Sequence, residues 1–112
     1  MKAKPQLIVF PASDLDSAKR RFTTLLGTEP YVDQPYYVGY RTDDREIGLD
    51  PSGASSGPIA YWDTEDIAGR VADLTGAGWQ VVSEPRDVGR GLLVAQLSDG
   101  NGTTVGLRQQ PN

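Results

Sequence analysis

The sequence is written twice. The apolar run Leu7-Ile8-Val9-Phe10 leads into Ser13-Asp14-Leu15, and Ile59-Ala60-Tyr61-Trp62 leads in the same way into Glu65-Asp66-Ile67. Both pieces share one offset, since 66 − 14 and 59 − 7 each give 52. The halves close on similar tails, Ile47-Gly48-Leu49 and Val105-Gly106-Leu107. A repeat of this kind constrains each half to the same supersecondary unit, and folds made of two like halves tend to place a ligand site between them.

Each half reads as β-α-β-β-β. In the first, Leu7–Phe10 is a short buried-type strand that Pro11 ends. Ser13 is the expected N-cap, with Asp14 and Asp16 in the first turn where the helix dipole favours anions. Leu15, Ala18, Phe22, Leu25 and Leu26 recur at helical spacing, and Gly27 stops the helix. Tyr31-Val32 and Tyr36–Arg41 are strand candidates, and Asp43-Asp44 turns the second into Arg45–Leu49. Pro51–Gly57 is the linker-like stretch between the halves. In the second, Ile59–Trp62 is a strand, Asp63 or Thr64 is the expected cap, and Ile67, Val71 and Leu74 form the inner face of the helix. Gly76 and Gly78 end it; Trp79–Ser83, a loop through Pro85 and Gly89, then Leu92–Leu97 and Thr104–Arg108 complete the pattern.

Composition narrows the chemistry. With 112 residues the chain forms one domain that buries roughly 65% of its unfolded surface. It has no cysteine and no histidine, which removes disulfides, thiolate ligands, the cysteine nucleophile and the commonest general base. Net charge is −4, and the only tight basic cluster is Lys19-Arg20-Arg21, so no basic face for nucleic acid is present. No apolar run approaches the ~20 residues of a membrane span, and the stretch after Met1-Lys2-Ala3-Lys4-Pro5 is too short for a signal peptide. A cytoplasmic location is the expectation.

Three segments carry a resemblance: Ala12–Asp16 with Leu25-Leu26-Gly27, then Ile59–Asp66 with Gly76-Ala77-Gly78, and Asp99–Leu107 with its Asp-x-x-Gly turn. In their order and spacing these resemble the vicinal oxygen chelate superfamily, the glyoxalase, bleomycin-resistance and extradiol-dioxygenase fold. The resemblance implies an α+β fold of two βαβββ modules, about residues 5–50 and 58–109, forming a cupped mixed sheet with one helix per module packed on the outside. In the superfamily's metalloenzymes the cup holds a divalent metal on His, Glu or Gln of the first and last strands of each module. Those positions map onto Leu7, Gly48, Ile59 and Gly106, none of which has a donor side chain. Asp50, Asp63 and Glu46 are the nearby carboxylates from which an all-oxygen site could be built.

Strand alternation sets the faces. Leu7, Val9 and Pro11 face the cup and Ile8 and Phe10 the helix; Ile59, Tyr61 and Asp63 face the cup and Ala60 and Trp62 the helix; Thr104, Gly106 and Arg108 face the cup and Val105 and Leu107 pack inward. Gly48 and Gly106 either widen the cavity floor or relieve crowding where strands curl. Of the aromatic set Tyr31, Tyr36, Tyr37, Tyr40, Tyr61 and Trp62, Tyr61 and one of Tyr37 or Tyr40 are expected to line a pocket. Arg108 either meets an anionic ligand group or is solvated, and Gln96 is an exposed edge residue or a pocket hydrogen-bonder. The glycines of Gly89-Arg90-Gly91 and Gly100-Asn101-Gly102 lead into strands and make no phosphate loop, and Asp63, Glu65 and Asp66 read as helix capping.

The expectation is therefore a metal-independent, cofactor-free binder of a small aromatic or hydrophobic molecule, possessing no catalytic residue. Its ligand would meet Leu7, Val9, Tyr37, Tyr40, Gly48, Ile59, Tyr61, Gly106 and Arg108. The alternative is a glyoxalase-, lyase- or dioxygenase-like enzyme with an atypical metal site. By analogy with the superfamily the chain is expected to be a homodimer, without nucleic-acid or membrane partners.

Overall fold

The computed structural model describes residues 3–52 and 57–111. The expected linker therefore lies partly outside the described residues, at positions 53–56. By its internal contacts the chain divides into two compact units, Pro5–Ala60 and a second comprising residues 61–111 with Ala3 and Lys4. Among the described residues no helix is long and apolar enough to cross a membrane.

The first module runs β1 (Leu7–Pro11), α1 (Leu15–Leu26), β2 (Val32–Gln34), β3 (Tyr37–Thr42) and β4 (Arg45–Asp50). Its strands lie in the order β2-β3-β4-β1, antiparallel except where β1 joins β4 in parallel, Leu7 opposite Glu46 and Pro11 opposite Asp50. The second module repeats this with β5 (Ile59–Asp63), α2 (Ile67–Gly76), β6 (Gln80–Asp87), β7 (Leu93–Ser98) and β8 (Thr104–Gln109). Here the order is β5-β8-β7-β6, and β5 joins β8 in parallel, Tyr61 opposite Gly106. The α+β pattern of two βαβββ modules is thus present, each with a mixed sheet and one helix. The tail of β1 extends one residue further than the sequence suggests, and Tyr31 precedes β2. Pro85, expected in a loop, falls inside β6, at an irregularity where the β6–β7 register shifts between Ser83 and Arg86 and no ladder donor is needed.

Both helix starts differ from expectation by a short step. Asp14, not Ser13, caps α1, its Oδ1 accepting from the Ser17 N–H at 3.1 Å. Asp66, not Asp63 or Thr64, caps α2, accepting from the Gly69 N–H at 3.0 Å. A carboxylate at the cap both fills an orphan donor and meets the positive end of the dipole, which a Ser hydroxyl does less well. The α2 start is further anchored by Gln109 of β8, whose Oε1 accepts from the Ile67 N–H at 2.7 Å. Asp14→Ala is expected to lower stability by about 1 kcal/mol while Ser13→Ala leaves it unchanged; urea denaturation of the two variants checks this. At the other end of α1, Gly27 takes φ 72°, a left-handed conformation, and its N–H returns to the Thr23 carbonyl.

Each helix covers one face of its own sheet. Under α1 lie Ala12, Val38, Tyr40 and Leu49, with Phe10, Leu15, Ala18, Phe22, Leu26 and Ile47 packed around them. Phe10 and Phe22 meet at 5.2 Å between ring centroids. Leu25 is not part of this face: it is 74% exposed, because the apolar stripe of α1 runs through positions 15, 18, 22 and 26 and leaves 25 to one side. Under α2 lie Ile67, Val71, Ala95, Leu97 and Leu107, with Trp62, Leu74, Trp79 and Val105 against them. Of the residues expected on the helix side of β1, β5 and β8, Phe10, Trp62, Val105 and Leu107 pack in the clusters under the helices.

Candidate functional site

The face of each sheet turned away from its helix carries most of the residues singled out in the sequence. In the first module, strand alternation places there Leu7 and Val9 of β1, Tyr37 and Arg41 of β3, and Glu46 and Gly48 of β4. Tyr40 is not among them. It is fully buried on the helix side, its hydroxyl donating to the Lys19 carbonyl at 2.9 Å and bonded to Thr23 Oγ1 at 2.9 Å. Of the two tyrosines, Tyr37 is the one on the helix-free face.

The two glycines do not open the floor. Gly39 pairs with Gly48, and the end of the Tyr37 side chain lies over Gly48: a Cβ built there would stand 2.7 Å from Tyr37 Cζ and closer still to its hydroxyl. In the second module a Cβ on Gly106 would stand 2.7 Å from Tyr61 Cγ and closer to the ring edge. Each glycine is a seat for a tyrosine, the close approach that a side chain would forbid.

Gly106 also lies between two partners, Tyr61 on β5 and Gln96 on β7. Its missing side chain lets Gln96 Nε2 donate across the strand to the Tyr61 hydroxyl at 2.8 Å. Gln96 is therefore a hydrogen-bonder of this face rather than an exposed edge residue. One step along, Arg108 is 5% exposed and bonded to Asp63, Nε to Oδ1 at 2.7 Å and Nη2 to Oδ2 at 3.1 Å. This fork-on-carboxylate pairing matches the Arg108 charge within the protein. Asp63, read from sequence as a capping residue, serves Arg108 instead.

At the far side of the first module's sheet, Tyr31 donates to Glu46, and the Arg41 guanidinium stands 4.1 Å from the Tyr31 ring centroid. Burial, followed by the hydrogen bond to Glu46, raises the Tyr31 pKa above the ordinary tyrosine value.

The donor set does not suit a divalent metal. Leu7, Gly48, Ile59 and Gly106 offer no ligand atom, and the described residues contain no group of three or more His, Cys, Asp or Glu that could hold one. The three carboxylates nearest those positions each have a protein partner: Asp63 has Arg108, Glu46 has Tyr31, and Asp50 accepts from Ser52 N and Oγ at 2.9 and 2.7 Å.

Two concavities lie away from these faces. An open groove of about 570 Å³ runs along the start of α1 and the β2–β3 turn, beside the 2.6 Å Lys19–Asp33 ion pair. A second, of about 340 Å³, lies between the start of α2 and the chain beyond β8. None of the nine residues expected to meet a ligand lines either one.

The chain matches no family profile and no curated protein sequence. Solved structures do match. The structure of an NAD-dependent benzaldehyde dehydrogenase from Legionella pneumophila superposes with a TM-score of 0.77 at 13% identity, over 94% of this chain and 98% of that one. A variant of the Streptomyces coelicolor methylmalonyl-CoA epimerase in complex with 2-nitronate-propionyl-CoA gives 0.76 at 17% identity, covering both chains completely. A glyoxalase/bleomycin resistance protein/dioxygenase superfamily member from Vibrio splendidus 12B01 gives 0.68 at 17% identity, over 97% and 100%. The chain has the vicinal oxygen chelate fold that its sequence resembles. Proteins of such unlike description share that fold, which fixes an architecture and leaves the chemistry to the side chains.

Proposed function

We propose that this protein binds a small aromatic or hydrophobic organic molecule, without a metal ion, on the sheet faces turned away from its helices. The observation that carries the reading is the donor set: where the fold's metalloenzymes place ligands stand Leu7, Gly48, Ile59 and Gly106, and both glycines seat a tyrosine. In the first module Tyr37 offers aromatic and Val9 apolar surface, and in the second the Tyr61–Gln96 hydrogen bond supplies a polar group, the kinds of group small-molecule sites use. Sequestration of this kind needs affinity and no acid, base or Lewis acid. The resemblance to the superfamily further suggests a cytoplasmic homodimer.

Thermal unfolding of chelator-treated protein against a panel of aromatic compounds tests the reading. A ligand at a hundred times its Kd is expected to stabilise the native state by about 2.7 kcal/mol and to raise the melting temperature. Stabilisation that appears only when divalent metal is restored, or one equivalent of Fe, Mn, Zn or Ni in the purified protein, would overturn it in favour of a metalloenzyme.

A further inference from the structure

On the helix side of the second module lies a cavity of about 180 Å³. Trp62 of β5, Trp79 at the turn into β6, Leu74 of α2, and Val105 and Leu107 of β8 form its apolar walls. A dry apolar cavity of roughly 150 Å³ is enough to take up benzene, so this one has room for a single ring with a small substituent. Two indoles among the lining residues favour an aromatic occupant over an aliphatic one, through offset or edge-to-face contact.

Two charged side chains also line the cavity, Asp63 and Arg70. They are differently engaged. Asp63 is held bidentately by buried Arg108. Arg70 has a 3.5 Å ion pair with Asp73 one helical turn on, with side chains 46% and 69% exposed. An exposed pair of that length contributes little and is readily exchanged. The charge that can be redirected into the cavity is therefore positive, and it is a guanidinium, whose planar fork matches a carboxylate.

We propose that this cavity is a binding site for a single-ring aromatic carboxylate, with the ring against Trp62 and Trp79 and the carboxylate on Arg70. The site is separate from the helix-free sheet faces and stands or falls independently of them.

The chain has two tryptophans, and both line this cavity, so its own fluorescence reports on occupancy. The full-length protein is titrated with benzoate, with neutral benzyl alcohol and with phenyltrimethylammonium. A saturable change in tryptophan emission with benzoate is expected. Arg70→Gln, on the exposed surface of α2, is expected to keep the native far-UV circular dichroism and to weaken benzoate by roughly tenfold or more, as for loss of a charge-assisted hydrogen bond, while leaving benzyl alcohol unchanged. Three results would overturn the assignment: no saturable response up to the solubility limit of benzoate, equal benzoate affinity in Arg70→Gln, or tighter binding of the trimethylammonium compound than of benzoate. Equal affinity in Arg70→Gln would move benzoate to another surface and leave the proposal for the sheet faces standing.

Discussion

Gly106→Val is expected to destabilise the protein by about 3 kcal/mol, the upper end of what overpacking costs. The new side chain would overlap the Tyr61 ring, which stands within 2.7 Å of the Cβ position at Cγ and nearer at its edge. Tyr61 is buried and its hydroxyl is tied to Gln96, so the ring cannot swing aside without also giving up that bond. Urea denaturation gives the size of the loss. A double-mutant cycle gives its cause: in a Tyr61→Ala background, the further cost of Gly106→Val should shrink to below about 1 kcal/mol, the rest appearing as coupling. An undiminished cost would mean that strand geometry, not the ring, requires glycine. Gly48→Val serves as an internal comparison. There the obstacle is the hydroxyl end of Tyr37, a half-buried side chain, rather than the ring of a buried one, and the loss should be smaller.

Asp63→Ala is expected to cost about 3 kcal/mol, because it leaves the buried Arg108 guanidinium without its carboxylate. Asp63 is itself 34% exposed, which lets some water reach the guanidinium and holds the figure at the low end of the range for buried pairs. Replacing both partners, Asp63→Ala with Arg108→Met, should recover most of the loss, since an apolar pair of similar volume needs no compensation. The wild-type pair should resist added salt more than a surface pair does, as screening acts weakly on buried charges. If the single and double variants were equally unstable, packing by the arginine stem rather than its charge would be the source of the effect.

Much of this architecture was legible because period and repeat are properties of the chain itself. The 52-residue offset matched the opening strand and the helix start of each half, local pattern supplied the strands that follow, and alternation placed Phe10, Trp62, Val105 and Leu107 on their helices. The caps fall one to three residues later than the sequence suggests because Ser13, Asp63 and Thr64 can cap by the same chemistry as Asp14 and Asp66, and only backbone geometry chooses among them. Tyr40, expected with Tyr37 as a pocket residue, lies instead beside Val38 under α1, because alternation along β3 puts positions 38 and 40 on one face and 37 on the other. The Asp63–Arg108 pair was available from the expected register: both residues sit two places beyond Tyr61 and Gly106, on the same face of adjacent parallel strands. What sequence could not supply was distance. Two glycines read equally as space or as crowding until the tyrosines above them were located.

The parallel joins at β1–β4 and β5–β8 also set an order of events. Every other strand pair within a module links neighbours in the chain, whereas Leu7 must find Glu46 and Tyr61 must find Gly106 across nearly the whole module. Closing such long loops is entropically slow, so the meanders β2-β3-β4 and β6-β7-β8 can assemble while the opening strands are still unattached. Leu7, Val9 and Tyr61 belong to those opening strands. Part of the surface proposed for ligand thus depends on the joins that are slowest to close, and a destabilised variant should lose it first.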